Sequence, residues 1–416
     1  MLDTPKSLRL QIGIFGRTNV GKSSFLNMIA GQDVAMTSTV PGTTTDVVEK
    51  SMELLPVGPV NFLDTAGFDD VSTLSAQRIE RSRKIFDRAD IAVIICEAGI
   101  WTKFEEELSE IMKEKKIPFV IAVNKIDNVA PTETFIGNLK KKSPRILLCS
   151  SIDGDMELRD KYIIDFKNLI LEILPTDFST PMPLLGDLIS PGGLTVMIIP
   201  IDSEAPKGRI ILPQVQAIRD VLDFDAGSVV VKETEYPAIL DKLKVKPDLV
   251  ICDSQVVDHM VKHTPEDIPC TTFSILFSRF KGDLVEEVKG AAAIANLKNE
   301  DKIIIAESCS HHPNQDDIGR VKIPRWLNNY LKHSPNISHS AGRDYPENIN
   351  DYKVIIHCGA CMLTRNEKLV RIEKAKQAEV PITNYGIAIS MMQGVLERVL
   401  TPFPEALAAF KESIGD

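Results

Sequence analysis

The chain has 416 residues, enough for roughly two or three domains that each bury a core. Its 48 Lys and Arg stand against 58 Asp and Glu, a formal charge of -10 that argues against a surface built to grip nucleic acid by neutralising phosphates. No apolar run has the length of a membrane helix and "MLDTPKSLRLQIGIFG" lacks the segments of a signal peptide, so the expectation is a cytoplasmic protein with neither nucleic acid nor membrane as a partner.

Taken from the N-terminus, "LRLQIGIF" alternates as a strand, "GRTNVGKSS" follows as a G-x-x-x-x-G-K-S loop, and "SSFLNMIAG" reads as the next helix. In that context backbone N–H groups converge on phosphate oxygens at a helix N-terminus. The expected nucleotide contacts are Gly16, Asn19, Val20, Gly21, Lys22, Ser23 and Ser24, with Lys22 on the β- and γ-phosphates and the Ser23 hydroxyl on magnesium. "TSTVPGTTTDVVE" is a polar switch in which Thr44 is the expected magnesium ligand. "VNFLDTAG" closes a strand with Asp64, placed to hold magnesium through water, and Gly67, whose N–H reaches the γ-phosphate. Lys22, Thr44, Asp64 and Gly67 are therefore the expected catalytic set. "FVIAVNKID" supplies Asn124, Lys125 and Asp127; a carboxylate there accepts from both N1 and N2 of guanine, a donor pair that adenine lacks, so the nucleotide is GTP. Ser150 and Ser151 of "ILLCSSIDG" close the base pocket. Phe68 stands where many switches carry a water-orienting glutamine, and Ser75 lies near the position of a catalytic Glu in similar GTPases; turnover without that group is expected to be slow, on the order of 10⁻⁴ to 10⁻² per second.

This first segment resembles the translation-factor-type GTPases of tRNA modification and ribosome assembly, whose switch reads P-G-T-T-x-D. The resemblance implies that Asn19 helps bind a potassium ion, supplying charge that an arginine finger supplies elsewhere.

The stretch 175–194 turns rich in Pro, Gly and Ser and reads as a linker after a domain spanning 1–174. Beyond it "LTVMIIPID", "VQAIRDVLDF", "GSVVVKE" and "PDLVICDS" carry the punctuation of βαβ units and predict a small, mostly parallel sheet. Seven cysteines, an odd count in a reducing compartment, point away from disulfides. Cys96, Cys149, Cys252 and Cys270 fall in or beside apolar strands and read as buried thiols, and His259 with His263 as an ordinary helix face. Later, "KIIIA" delivers Cys309, Ser310, His311 and His312 past its C-terminal end, and "DYKVIIH" delivers His357, Cys358 and Cys361 past its own. In a parallel sheet these ends share one edge, so both sets of soft ligands converge. Thiolates with imidazoles suit tetrahedral zinc or an iron–sulfur cluster; a region with enough strands and helices to fold by burial leans towards the cluster.

A GTPase segment followed by C-x-H, a long spacer and H-C-x-x-C resembles the FeFe-hydrogenase maturation GTPases, the HydF family. That resemblance covers the whole chain and implies a scaffold and carrier, with 195–272 as a dimerisation domain and 273–416 as the cluster-binding domain. It implies a four-iron four-sulfur cluster on Cys309, Cys358 and Cys361, with His311 and His357 as candidates for the fourth ligand. The partners it implies are a second copy of the chain, two radical-SAM maturases that build a di-iron precursor, and the immature hydrogenase. The expected architecture is thus α/β, an N-terminal P-loop GTPase domain followed by two smaller α/β domains with mainly parallel sheets. Two rivals stand beside it: an RNA-linked GTPase of tRNA modification or ribosome assembly, and a regulatory GTPase with a structural zinc.

Overall fold

The computed structural model describes residues 4–31, 48–64, 85–179, 182–201, 207–308, 317–342, 346 and 348–415. The chain forms two compact units, Met1–Pro181 and Met182–Asp416, which divide inside the stretch 175–194.

In the first unit six strands make one sheet: β1 (Leu10–Phe15), β2 (Val48–Leu54), β3 (Gly58–Asp64), β4 (Ile91–Glu97), β5 (Phe119–Asn124) and β6 (Ile146–Leu148), in the order β2-β3-β1-β4-β5-β6. All pairings are parallel except that of the edge strand β2 with β3. The apolar run of β4 serves both faces at once. Ile91, Val93 and Ile95 pack with Phe25 and Phe166, while Ala92, Ile94 and Cys96 pack with Leu108 and Met112. Strands covered on both sides read as unbroken hydrophobic segments rather than alternating ones. The helix Lys103–Glu114 starts on a capping box, the Thr102 hydroxyl accepting from the first turn and Glu105 reaching back to the Thr102 N–H at 2.9 Å. Parallel register brings Ile14 beside Asp64 and Glu97 beside Asn124, so the ends of β1, β3, β4 and β5 share one sheet edge.

The second unit holds two all-parallel sheets. The first has the order β10-β9-β7-β8, from β7 (Leu194–Ile198), β8 (Gly227–Val231), β9 (Leu249–Cys252) and β10 (Cys270–Thr272). The second has the order β12-β11-β13-β14, from β11 (Lys302–Ala306), β12 (Asn336–Ser340), β13 (Val354–His357) and β14 (Ile382–Asn384). The architecture read from the sequence, a P-loop sheet followed by smaller parallel α/β sheets, is the one observed. One core serves both small sheets: Val196 and Ile251 of one belong to the same buried cluster as Ile303, Ile305, Val354 and Ile356 of the other. The alternate residues Ile304, Ala306 and Ile355 face a second, smaller cluster with Ile372 and Ala375. The helix Leu284–Ala292 packs on β14 and on the C-terminal helix Pro404–Ile414. Its Gly290 permits the approach, since a Cβ there would stand 1.9 Å from the Ile382 carbonyl oxygen.

Among the described residues no helix is long and apolar enough to cross a membrane.

Candidate functional site

Two sites emerge, one on each unit. At the end of β1 the chain turns through Gly16 to Gly21 and enters the helix Lys22–Ala30. Lys22 is 5% exposed, and its ammonium donates to the carbonyls of Gly16 at 2.8 Å and Arg17 at 3.0 Å, so the loop is wrapped around its own cation. Asn19 takes a left-handed φ of 65°, and its exposed side chain makes no hydrogen bond among the described residues. Arg17 is tied to the fully buried carboxylate of Glu105 at 2.6 Å. Gly21 is obligatory: its φ is 95°, and a Cβ would lie 2.3 Å from the Asn124 amide nitrogen.

Asn124 knits the pocket together. Its Nδ2 donates to the Val20 carbonyl at 2.8 Å, while its Oδ1 accepts from the Ser151 N–H at 3.0 Å and the Ser151 hydroxyl at 2.8 Å. Lys125 bridges the Asn19 carbonyl and the Glu97 carboxylate. Asp127 is exposed, and Ser150 is buried with its hydroxyl unsatisfied among the described residues. Asp64 lies buried at the end of β3. Thr44, Gly67, Phe68 and Ser75 lie outside the described residues. Ser23 and Ser24 occupy the first turn of the helix Lys22–Ala30.

The second site forms where β11 and β13 end. Ladder pairing continues one residue past β13, the Cys358 N–H donating to the Ala306 carbonyl at 2.9 Å. This brings the half-buried Cys358 sulfur to Ser308, whose backbone N–H it accepts and to whose hydroxyl oxygen its S–H donates, each at 3.2 Å. The next residue in the chain is Cys309, which with His311 and His312 lies outside the described residues. After Cys358 the loop turns through Ala360, buried and left-handed at φ 54°, to the half-buried Cys361, and Thr364 then caps the helix Arg365–Gln377 in a box with Glu367. His357 is fully buried. Arg371 can only donate, so Nε2 accepts its guanidinium at 2.8 Å and Nδ1–H donates to the Cys358 carbonyl at 2.7 Å. To ligate a metal, His357 would have to give up the Arg371 hydrogen bond. Burial holds its imidazole well below the usual range, and Lys368 and Arg371 add to that.

Burial also pushes the Cys361 thiol up, and the thiols outside this site lie in the core. Burial pushes Cys96 and Cys149 up to about 12, Cys270 to about 11, and Cys252 well above its ordinary value, so these are inert core groups. His259 and His263 are bonded to carbonyls, at 2.9 and 2.8 Å. Among the described residues no three metal-ligating side chains cluster.

Sequence reasoning passes over the side chains that support this second site. Lys281 ends the helix Phe273–Lys281, is 2% exposed, and donates to the carbonyls of Cys361 at 3.2 Å and Leu363 at 3.0 Å. Burial pulls its ammonium down to about 8. Lys368, equally buried, pairs at 2.6 Å with the fully buried Glu287, which also accepts from Ser278 and Asn384. No motif marks these positions; Lys281 and Lys368 look like any lysines on amphipathic helices.

Comparisons with known proteins cover the chain in three parts. Residues 11–125 match a 50S ribosome-binding GTPase model, residues 184–282 a hydrogen maturase F dimerization domain, and residues 285–402 a hydrogen maturase F tetramerization domain. The tRNA modification GTPase MnmE of Mycoplasma mycoides subsp. mycoides SC is 33% identical over 150 residues, 36% of this chain and 32% of that protein. MnmE of Synechococcus sp. (strain JA-2-3B'a(2-13)) is 39% identical over 129 residues, 30% of this chain and 27% of its own length. The chain thus spans about a third or less of the curated relatives it matches. A crystal structure of a probable GTP-binding protein engB shares 24% identity, covering 39% of this chain and 97% of its own, at a TM-score of 0.29 that adds nothing to the fold described above.

Proposed function

The chain belongs to the hydrogen maturase F family, whose dimerization and tetramerization domains follow its GTPase domain, and on that premise we propose that it is a GTP-hydrolysing scaffold and carrier in the maturation of FeFe-hydrogenase. It holds a four-iron four-sulfur cluster on Cys309, Cys358 and Cys361 and passes a di-iron precursor, received from radical-SAM maturases, to the immature hydrogenase. The observation that carries this reading is the Cys358 sulfur at the sheet edge, accepting the Ser308 N–H at 3.2 Å with Cys309 next in the chain and Cys361 three residues on. Two half-buried thiols, one already receiving a backbone N–H, suit an iron–sulfur group, whose sulfurs accept such bonds. When bound, the cluster offers iron at which a precursor can attach. The chain's own residues fix the cysteine loop, shield it and set its charge.

On the nucleotide side, Lys22 and Gly67 contact the phosphates while Ser23, Thr44 and Asp64 hold magnesium. Asp127 selects guanine, and Asn19 takes up potassium. The Asn19 side chain, exposed and without a hydrogen bond among the described residues, supports that last role. Hydrolysis is slow, because Phe68 cannot orient water, and potassium speeds it. GTP-driven ordering of residues 37–46 changes what a partner maturase meets. The protein is a cytoplasmic homodimer.

Anaerobic purification followed by iron, sulfide and zinc analysis, with EPR of the reduced protein, tests this reading on the parent and on Cys358→Ser. Iron and sulfide in equal amounts, with a signal lost in the variant, are expected. Stoichiometric zinc without sulfide, retained after cluster reconstitution, would replace the scaffold with a GTPase that carries a structural metal.

A further inference from the structure

Buried ionised groups are found paired, because desolvation of a lone charge is expensive and only a counter-charge offsets it. The second unit contains one lysine that obeys this rule and one that does not. Lys368 meets Glu287 at 2.6 Å, both side chains being at most 2% exposed. Lys281 is equally buried, yet among the described residues no carboxylate lies within ion-pair distance of its Nζ. Its neighbours are the carbonyls of Cys361 and Leu363 and the Phe277 ring, whose centroid is 5.8 Å away. The Cys361 thiol acts on its charge before any carboxylate does, and the carboxylate that acts on it, Glu367, has an oxygen committed to the N-terminus of its own helix through the Thr364 N–H at 2.9 Å. Among the described residues, a cation placed so has no carboxylate as its counter-charge. The group it faces is the cysteine loop. Metal binding deprotonates a thiol outright and so gives that loop the negative charge a buried cation pairs with.

We propose that Lys281 is the built-in counter-ion of the anionic metal–thiolate group held by the cysteine loop, and that its charge sets the group's reduction potential. This rests on the cluster reading above. Reduction adds an electron to a group already negative, so a fixed cation nearby stabilises the reduced form more than the oxidised one and raises the potential. Lys281 also joins two segments, since it ends the region 184–282 and clamps a loop of the region 285–402. It acts as a positioning residue, touching no reacting atom.

The test is an anaerobic redox titration followed by EPR on the parent, Lys281→Met and Lys281→Arg, with iron and sulfide measured on each sample and circular dichroism confirming the fold. Methionine keeps the length of the side chain without its charge, and arginine keeps the charge. The expected result is unchanged iron in Lys281→Met with a potential lowered by at least a tenfold change in the reduced-to-oxidised ratio, about 59 mV for one electron, and a return towards the parent value in Lys281→Arg. Loss of iron from the folded Met variant alone, with retention in the Arg variant, supports the same role. Equal iron and an unmoved potential in Lys281→Met overturn the counter-ion but leave the cluster standing, as does equal loss of iron from both folded variants. A parent devoid of iron overturns both.

Discussion

Asn124 and Asp127 stand three residues apart in one motif, and their surroundings differ. Asn124 links the phosphate loop to the serine loop through Val20 and Ser151, whereas Asp127 is exposed, and the proposed function assigns it to the base. Asn124→Ala orphans buried partners at about 1–3 kcal/mol each, so it should both lower the melting temperature and weaken GTP binding. Asp127→Ala should leave stability alone yet lose about 1.5–3 kcal/mol of guanine affinity, at least tenfold, in a fluorescent GTP titration, with ATP binding unaffected. Equal thermal shifts in the two variants would show that the tasks are not divided. Motif residues of this kind are legible in sequence because phosphate and guanine dictate both residue type and order. Lys281 is not legible: the residues it serves lie 80 and 82 positions away, and nothing in "FSRFKGD" distinguishes it from a solvated lysine.

Among the elements, the helix Leu284–Ala292 illustrates how packing overrides propensity. Alanine in place of a helical glycine ordinarily stabilises by up to about 1 kcal/mol. At Gly290 the added carbon would meet the Ile382 carbonyl at 1.9 Å, a backbone atom of β14 that cannot step aside. Gly290→Ala should therefore destabilise by about 1–3 kcal/mol in chemical denaturation, the range of an overpacked core; a gain in stability would mean that the helix and β14 shift apart freely. Glu287 on the same helix gives a second case. Lys368→Met strands its carboxylate among Ser278 and Asn384, at about 3–5 kcal/mol for a broken buried pair. Strand positions were open to reading because their apolar runs announce burial on both faces. The pairing of Glu287 with Lys368 was not, since it joins helices 81 positions apart whose charges look like surface charges.

At the scale of the molecule the division into Met1–Pro181 and Met182–Asp416 separates the nucleotide chemistry from the thiols. Lys22→Ala should thus abolish GTP hydrolysis while leaving the iron and sulfide content at the parent value; loss of iron in that variant would show the two sites to be energetically joined. The two units divide after Pro181, whereas the core shared by the two small sheets leaves no mark in the sequence, because sequence periodicity reports which face is buried and never what lies against it. That shared core, with Lys281 reaching across from the last helix before Gly282, bears on how this protein can be dissected. A gene cut after Gly282 would still encode every cysteine of the loop, yet the core holding Ile303, Ile305, Val354 and Ile356 would lose the share contributed by Val196, Ile251 and their neighbours, and the loop would lack its ammonium. Cofactor loaded onto such a fragment would sit in an electrically different environment, and its spectra would describe the fragment rather than the intact chain.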